Sequence, residues 1–208
     1  MFTERLRNKF RVDEPIFTQE ILELFSDYSR VQVFRLIKKA TVDGDIAQYD
    51  KGIYYIPQET ILGKSTITAD MIIEKKFLRS KQDVYGVYSG IKLLNNFSLT
   101  TQMAAVVEIV TNNESAKYRE IQIRNRRYIL RKSRFPITKD NYAAYTILQL
   151  FSELNKNEKL DAYSKDILLK YIKNTGVTKE QLFSLSMNFP SRTAQYLIGS
   201  GIINEIAW

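Results

Sequence analysis

The chain has 208 residues, 44% of them hydrophobic, and a formal net charge of +8 at pH 7. It contains no cysteine and no histidine, which excludes Cys/His zinc sites, thiol nucleophiles and mechanisms that use a histidine base. No run approaches the ~18 consecutive apolar residues of a membrane span, and the first residues lack the apolar core of a signal peptide. We therefore expect a cytoplasmic protein that does not contact a membrane.

The positive net charge predicts a polyanionic partner, and its distribution along the chain is uneven. Residues 1–57 hold nine basic and nine acidic side chains, residues 58–140 hold fifteen and eight, and residues 141–208 hold seven and six. The first 57 residues are therefore neutral. A nucleic-acid site there must come from basic side chains gathered on one surface.

Residues 1–57 show the order of elements that is typical of a winged helix-turn-helix. A helix is predicted over 2–10, and Thr18 is the expected N-cap of a second helix. Ser29 and Gln32 form a capping-box pattern that opens a third helix, which runs to about Val42. The stretch "IAQYDKGIYYIP" that follows predicts a hairpin ending at Pro57. Short helices, a turn, a basic helix and a hairpin are the parts of that DNA-binding domain.

The third predicted helix has a basic side, because residues 28–41 contain four basic side chains and no acidic one. At about 100° per residue, two faces separate. The packing face holds Val33, Leu36, Ile37, Ala40 and, at its margin, Phe34; the opposite face holds Tyr28, Val31, Arg35, Lys38 and Lys39. An ordinary amphipathic surface helix has the same pattern. The turn before the helix and the hairpin after it favour DNA binding.

On that interpretation the helix lies in the major groove, with Arg35 on a guanine edge and Val31 on a thymine methyl. Ser29 and Arg30 are expected to meet phosphates, whereas Gln32 closes the capping box and is not free to read a base. Lys51, at the hairpin tip, can reach a phosphate or the minor groove. The predicted DNA-binding residues are Tyr28, Ser29, Arg30, Gln32, Arg35, Lys38, Lys39, Gln48, Tyr49 and Lys51.

Residues 58–83 are predicted to connect the first domain to the rest of a C-terminal domain over 58–208. Within them, "ADMIIEKKFL" reads as a helix with Met71, Ile72 and Phe77 buried. The stretch "LGKST" at 62–66 resembles the end of a phosphate-binding loop, but such a loop needs glycine where position 58 has glutamine. We therefore predict no nucleotide site there.

No enzyme, metal site or cofactor is predicted. Asp43 and Asp45 in "DGD" have the spacing of a metal-binding pair, but Asp and Gly are natural turn formers between a helix and a hairpin. Glu108 stands in an apolar strand without an obvious partner. Serine–lysine catalysis has no supporting motif.

Residues 84–135 are predicted to contain a sheet with a strongly basic hairpin. "GIKLLNNF" reads as a short helix, "AVVEIVT" as a buried strand, and "YREIQIRN" and "RRYILRKS" as two strands that meet around Asn125. Alternation places Arg119, Arg127 and Arg131 outward, and the packing positions are Ile121, Ile123, Tyr128 and Leu130. The window from Lys117 to Arg134 holds eight basic residues and one acidic residue.

Two interpretations of this hairpin stay open, a solvated surface and an accessory polyanion or antitoxin surface. The residues of that surface are Lys117, Arg119, Arg124, Arg126, Arg127, Arg131, Lys132 and Arg134.

Residues 136–208 read as a group of helices. The stretch "NYAAYTILQLFSELN" has helical spacing, a second helix is expected from a capping Ser164 to Gly176, and "TKEQ" is another capping box. "SRTAQYLIGSG" reads as the last helix. The predicted fold class is therefore α+β: an N-terminal winged helix-turn-helix followed by a larger mixed α/β domain that ends in helices.

The stretches "GIYYIP…TILGKST", "VYGVYSGIKLLNNFSLTTQ", "VVEIVTNNESAKYREIQI" and "YILRKSRFPIT" together resemble the AbiEi-type antitoxins of bacterial type IV toxin–antitoxin (abortive infection, phage defence) systems. The resemblance covers about residues 17–155. It implies a winged helix that represses its own operon by binding inverted repeats in the promoter, so two copies are expected on one operator. It also implies a C-terminal domain that neutralises a nucleotidyltransferase-like toxin without a stable complex.

The resemblance transfers only winged-helix contacts, at Ser29, Arg30, Gln32, Arg35, Lys39 and Lys51. The role of residues 156–208 stays open. Three alternatives remain: a nucleic-acid-binding protein that acts mainly through the 117–134 hairpin, an antitoxin that holds its toxin directly, and an enzyme that reverses the toxin's modification.

Overall fold

The computed structural model describes residues 1–154 and 160–206, and the fold is α+β, as predicted. The chain divides into two compact units, one from Met1 to Lys75 and one from Lys76 onward. The first unit therefore includes residues 58–75, which the sequence assigns to the connecting segment.

The first unit begins with α1 (Phe2–Lys9), β1 (Ile16–Phe17), α2 (Thr18–Leu24) and α3 (Arg30–Val42). The strands β2 (Ala47–Asp50) and β3 (Ile53–Tyr55) follow, then β4 (Glu59–Thr60), β5 (Gly63–Lys64) and α4 (Ala69–Ile73). A π-helical turn over Glu74–Leu78 continues α4. The sheet has the antiparallel order β1-β3-β2, and β4 pairs with β5 alone.

One apolar core holds α1, α2, α3 and the β2–β3 hairpin together. Its side chains come from all of these elements, so none of them can turn without exposing apolar surface. The buried members are Leu6, Phe10, Ile16, Ile21, Phe25, Val33, Ile37, Ala40, Ile46, Tyr54 and Ile56.

The predicted cap of α2 is wrong by one residue. The N-cap is Phe17, whose amide donates to Glu20 Oε2 at 2.8 Å. Thr18 is the first helical residue, and its hydroxyl donates to the carbonyl of Gly52 at 3.2 Å instead. This bond ties the hairpin turn to the start of α2.

Lys75 explains why the first unit extends beyond Pro57. Its ammonium group donates to the carbonyl of Pro15 at 2.7 Å and pairs with Glu20 at 2.8 Å and Glu14 at 3.1 Å. These partners surround α2's first turn, and both carboxylates are largely shielded from solvent, which strengthens the attraction. In the neighbouring helix Ile72 and Phe77 are buried, as predicted, but Met71 is 37% exposed, because it lies on the side of α4 away from the buried Ile72.

The second unit starts with β6 (Gly86–Ser89), α5 (Gly90–Asn96), β7 (Val106–Thr111), β8 (Arg119–Ile123) and β9 (Arg126–Lys132). The sheet order is β6-β7-β9-β8, with β7 and β9 parallel and the other pairs antiparallel. A Cβ added at Gly86 would lie 2.0 Å from the Phe77 carbonyl oxygen, so this strand position needs glycine.

The helices of the second unit are α6 (Tyr142–Glu153), α7 (Ala162–Thr175), α8 (Lys179–Ser186), α9 (Ser191–Gly199) and α10 (Ile202–Glu205). They form a core with Val87, Leu93, Phe97 and Val110. None of the helices within the two described ranges is long and apolar enough to cross a membrane.

Most helix ends of the second unit agree with the sequence. The capping box of Thr178 and Gln181 opens α8, and Gly176 ends α7 in a left-handed conformation. The predicted cap Ser164 is wrong: Asp161 caps α7 by accepting from the Ser164 amide at 2.7 Å. Asn155, the last residue of the first predicted C-terminal helix, lies outside the described residues.

Candidate nucleic-acid interface

The apolar and basic residues of α3 lie on different sides of the helix. Val33, Ile37 and Ala40 are buried in the core of the first unit, and Leu36 is half-buried. Phe34 is 44% exposed, so its predicted place at the margin of the packing face is corrected to the solvent side. Burial of the apolar side fixes the rotation of α3 and directs the opposite side outward.

The opposite side of α3 carries four cations that are free of acidic partners. Arg30, Arg35, Lys38 and Lys39 are all exposed, and none forms an ion pair within the described part of the chain. Residues 1–75 hold eleven basic and twelve acidic side chains. A unit with a net charge of −1 therefore presents a local concentration of positive charge.

The start of α3 is held by the predicted capping box. The Ser29 hydroxyl accepts from the Gln32 amide at 3.3 Å, and the Gln32 side-chain oxygen accepts from the Ser29 amide at 3.0 Å. The oxygen of Gln32 is therefore engaged in the cap. Tyr28 precedes the cap, is 45% exposed, and packs edge-on against Phe25.

The turn between α2 and α3 is tied to α1 by Arg5. Its guanidinium donates to the Leu24 carbonyl at 2.6 Å, pairs with Asp27 at 3.1 Å and lies over the Phe25 ring. The hydrogen bond from Arg5 lowers the pKa of the Asp27 carboxyl. These contacts fix the direction in which α3 leaves the turn.

The β2–β3 hairpin stands beside α3 on the same core. Tyr54, Tyr55 and Ile56 are buried, as the sequence predicts. Lys51 lies at the turn, is exposed, and its side chain has no ion pair among the residues that the structure describes. Gly52 has a positive φ of 75°, which the tight turn requires.

The other two hairpin candidates differ in accessibility. Gln48 is exposed and donates to the Asp50 carbonyl at 3.3 Å. Tyr49 is half-buried.

The basic hairpin of the second unit, β8 and β9, differs from α3 because acids lie beside its arginines. Arg119 pairs with Glu114 at 2.6 Å, Arg127 with Glu120 at 3.3 Å and Arg131 with Glu108 at 3.0 Å. Two of these acids come from outside the 117–134 window, so charge counting within it overlooks them. Glu108, which the sequence leaves without a partner, therefore has one.

The strand register also corrects the predicted faces of this hairpin. Arg119 is opposite Leu130 and so shares a face with Ile121 and Tyr128. Arg127 and Arg131 lie on the other face of the sheet. Arg119 is exposed because it is the first residue of an edge strand.

The remaining basic residues of the 117–134 window are exposed: Lys117, Arg124, Arg126, Lys132 and Arg134. Arg134 lies over the Phe189 ring, 5.2 Å from its centroid.

The residues considered for other chemistry have structural partners. Asp45 pairs with Arg7 at 3.3 Å. Lys64 of "LGKST" donates to the Gly44 carbonyl at 3.1 Å. The glycine of this stretch, Gly63, belongs to the two-residue strand β5. Across residues 1–154 and 160–206, no group of three or more acidic side chains is placed to hold a metal ion.

No protein-family model and no curated protein sequence matches this chain.

Ser29 offers a test of whether the cap positions α3. Ser29→Ala removes the acceptor for the Gln32 amide and should lower the free energy of unfolding by about 1 kcal/mol, whereas Ser29→Asp keeps an acceptor and should cost less than about 0.5 kcal/mol. Urea unfolding followed by circular dichroism measures both. Thr178→Ala is the matched control, because it removes the corresponding side-chain acceptor from the capping box that opens α8. Equal losses for the two Ser29 variants would contradict the capping role.

Proposed function

We propose that the chain is a sequence-specific DNA-binding repressor whose first unit is a winged helix-turn-helix. In it α3 is the recognition helix, the β2–β3 hairpin is the wing, and the turn held by Arg5 separates α2 from α3. The observation that carries the proposal is the set of four exposed cations on α3 that have no ion pair among the described residues, in a unit that is otherwise slightly acidic.

The proposed docking follows from the dimensions of B-DNA. The major groove is about 12 Å wide and admits one helix. With α3 in it, Arg35 can fork onto the N7 and O6 of a guanine, the commonest specific contact. Ser29 and Arg30 stand at the helix start, where amide groups and a cation suit a phosphate. Lys51 of the wing adds one further cation next to the duplex.

The finer biological role rests on the resemblance to AbiEi-type antitoxins. On that basis the operator is a set of inverted repeats in the chain's own promoter. Two copies bind it, with half-sites separated by whole helical turns of about 34–36 Å. The second unit neutralises a nucleotidyltransferase-like toxin without a stable complex.

A second candidate places nucleic-acid binding on the β8–β9 hairpin. The ion pairs of Arg119, Arg127 and Arg131 favour the first unit over this surface, because each pair offsets one positive charge that a phosphate would otherwise meet. The exposed Lys117 and Lys132 leave the hairpin as the candidate site of antitoxin action.

Replacing Arg35 and Lys39 together by alanine should abolish the specific mobility shift of the upstream promoter DNA. Both side chains are exposed, and neither has an ion pair in the described ranges, so the free energy of unfolding should change by less than about 0.5 kcal/mol. The double variant Lys139→Ala, Lys173→Ala removes the same charge from exposed positions of the second unit and should bind like the wild type. Unchanged operator affinity in the Arg35, Lys39 variant would contradict the proposed recognition face.

Toxin neutralisation should be separable from repression. The Arg35, Lys39 variant should still restore growth when it is co-expressed with the nucleotidyltransferase-like toxin, because its second unit is unchanged. Size-exclusion chromatography of the two proteins should show no joint peak. A stable complex would instead support direct binding of the toxin.

Charge reversal at Arg126, Arg127 and Arg131 tests the hairpin separately. If these changes abolish rescue of growth and leave repression intact, neutralisation belongs to the hairpin.

A further inference from the structure

The exposed side of α3 carries large apolar side chains among its cations. Val31 is 62% exposed, Val42 is 79% exposed, and Phe34 is 44% exposed. Large apolar side chains at neighbouring positions of one exposed helix face are a feature of contact surfaces. The core residues of α3 are Val33, Ile37 and Ala40, so the three exposed residues do not belong to the core.

Helical geometry places cations on both edges of the exposed arc of α3, and one further cation, Lys38, near its middle. At about 100° per residue, Val31 and Lys38 fall near the middle of the exposed arc, and Phe34 lies about 60° from Val31 towards Arg30. Arg30 lies on one edge. Lys39 lies on the other edge, and Arg35 lies between it and Val31.

This order of side chains matches the cross-section of the major groove. The groove is bounded by two phosphate backbones, which suit cations on both edges of a helix. Base edges lie at its floor, and the only apolar group that they present there is the 5-methyl group of thymine.

Resting on the proposed DNA-binding function, we infer that Val31 and Phe34 determine sequence specificity by contacting thymine 5-methyl groups. Phe34 adds to the contacts predicted from the sequence, where only Val31 faces a methyl group. Three residues of helix span about 4.5 Å, close to the 3.4 Å between successive bases of one strand. The two side chains therefore contact neighbouring base pairs. Val42 is eleven residues beyond Val31, about 16 Å along the helix, and lies outside this contact.

The test compares two forms of the same upstream promoter duplex, one containing thymine and one with every thymine replaced by uracil. Uracil lacks only the 5-methyl group. Loss of one buried methyl contact weakens binding about fourfold, so the full-length wild type should bind the uracil duplex roughly tenfold to twentyfold more weakly. The double variant Val31→Ala, Phe34→Ala should bind both duplexes with nearly equal Kd. Val42→Ala, an exposed valine of the same helix face, should keep the full ratio.

The outcomes separate this inference from the proposed function. Specific binding with equal Kd on both duplexes, or an unchanged ratio in the Val31, Phe34 variant, overturns the methyl contact and leaves the repressor intact. No specific binding of either duplex by the wild type overturns both. If the two substitutions alter self-association measured by sedimentation and leave DNA affinity unchanged, the face is a protein interface and the inference is wrong.

Discussion

Burial of Val33, Ile37 and Ala40 is the constraint on which the candidate interface depends. These side chains pack into the core with Ile46 and Tyr54, and the loss of their burial would cost about 1.5–3 kcal/mol for each of the larger ones. The rotation of α3 is therefore set from its apolar side. The positions of its cations follow from that rotation, and none of these cations forms an ion pair within the part of the chain that the structure describes. Side chains left free in this way can pair with an external polyanion without first breaking an internal ion pair.

The two basic surfaces of the chain differ in how many of their basic side chains have acidic partners. The β8–β9 hairpin has the larger count in the sequence, but Glu108, Glu114 and Glu120 stand next to its arginines. Ion pairs of this kind are exposed in part and contribute little to stability, yet they lower the positive potential of the surface. The α3 face has fewer cations, and none of them pairs with an acid among residues 1–154 and 160–206. The balance of these two effects favours α3 over the hairpin as the surface of the proposed DNA binding.

Local patterns predicted much of the fold. The capping boxes at Ser29 and Thr178, the hairpin turn at Gly52 and the helix end at Gly176 are confirmed because each depends on residues a few positions apart. Features that depend on distant residues were missed. The extension of the first unit to Lys75 rests on contacts with Glu14, Pro15 and Glu20. The acidic partners of the basic hairpin come through strand pairing. Phe34 was misplaced because helical periodicity leaves residues at a boundary undecided until packing exposes or covers them.

The salt dependence of operator binding tests the central claim most directly. If Arg30, Lys39 and Lys51 each neutralise one phosphate while Arg35 contacts a guanine, the plot of log Kobs against log salt concentration should have a slope of about −2.7 per bound copy. Lys39→Ala alone should reduce the magnitude of the slope by about 0.9. A slope that stays the same in that variant, or specific binding that persists with its full affinity, would show that α3 does not face the DNA.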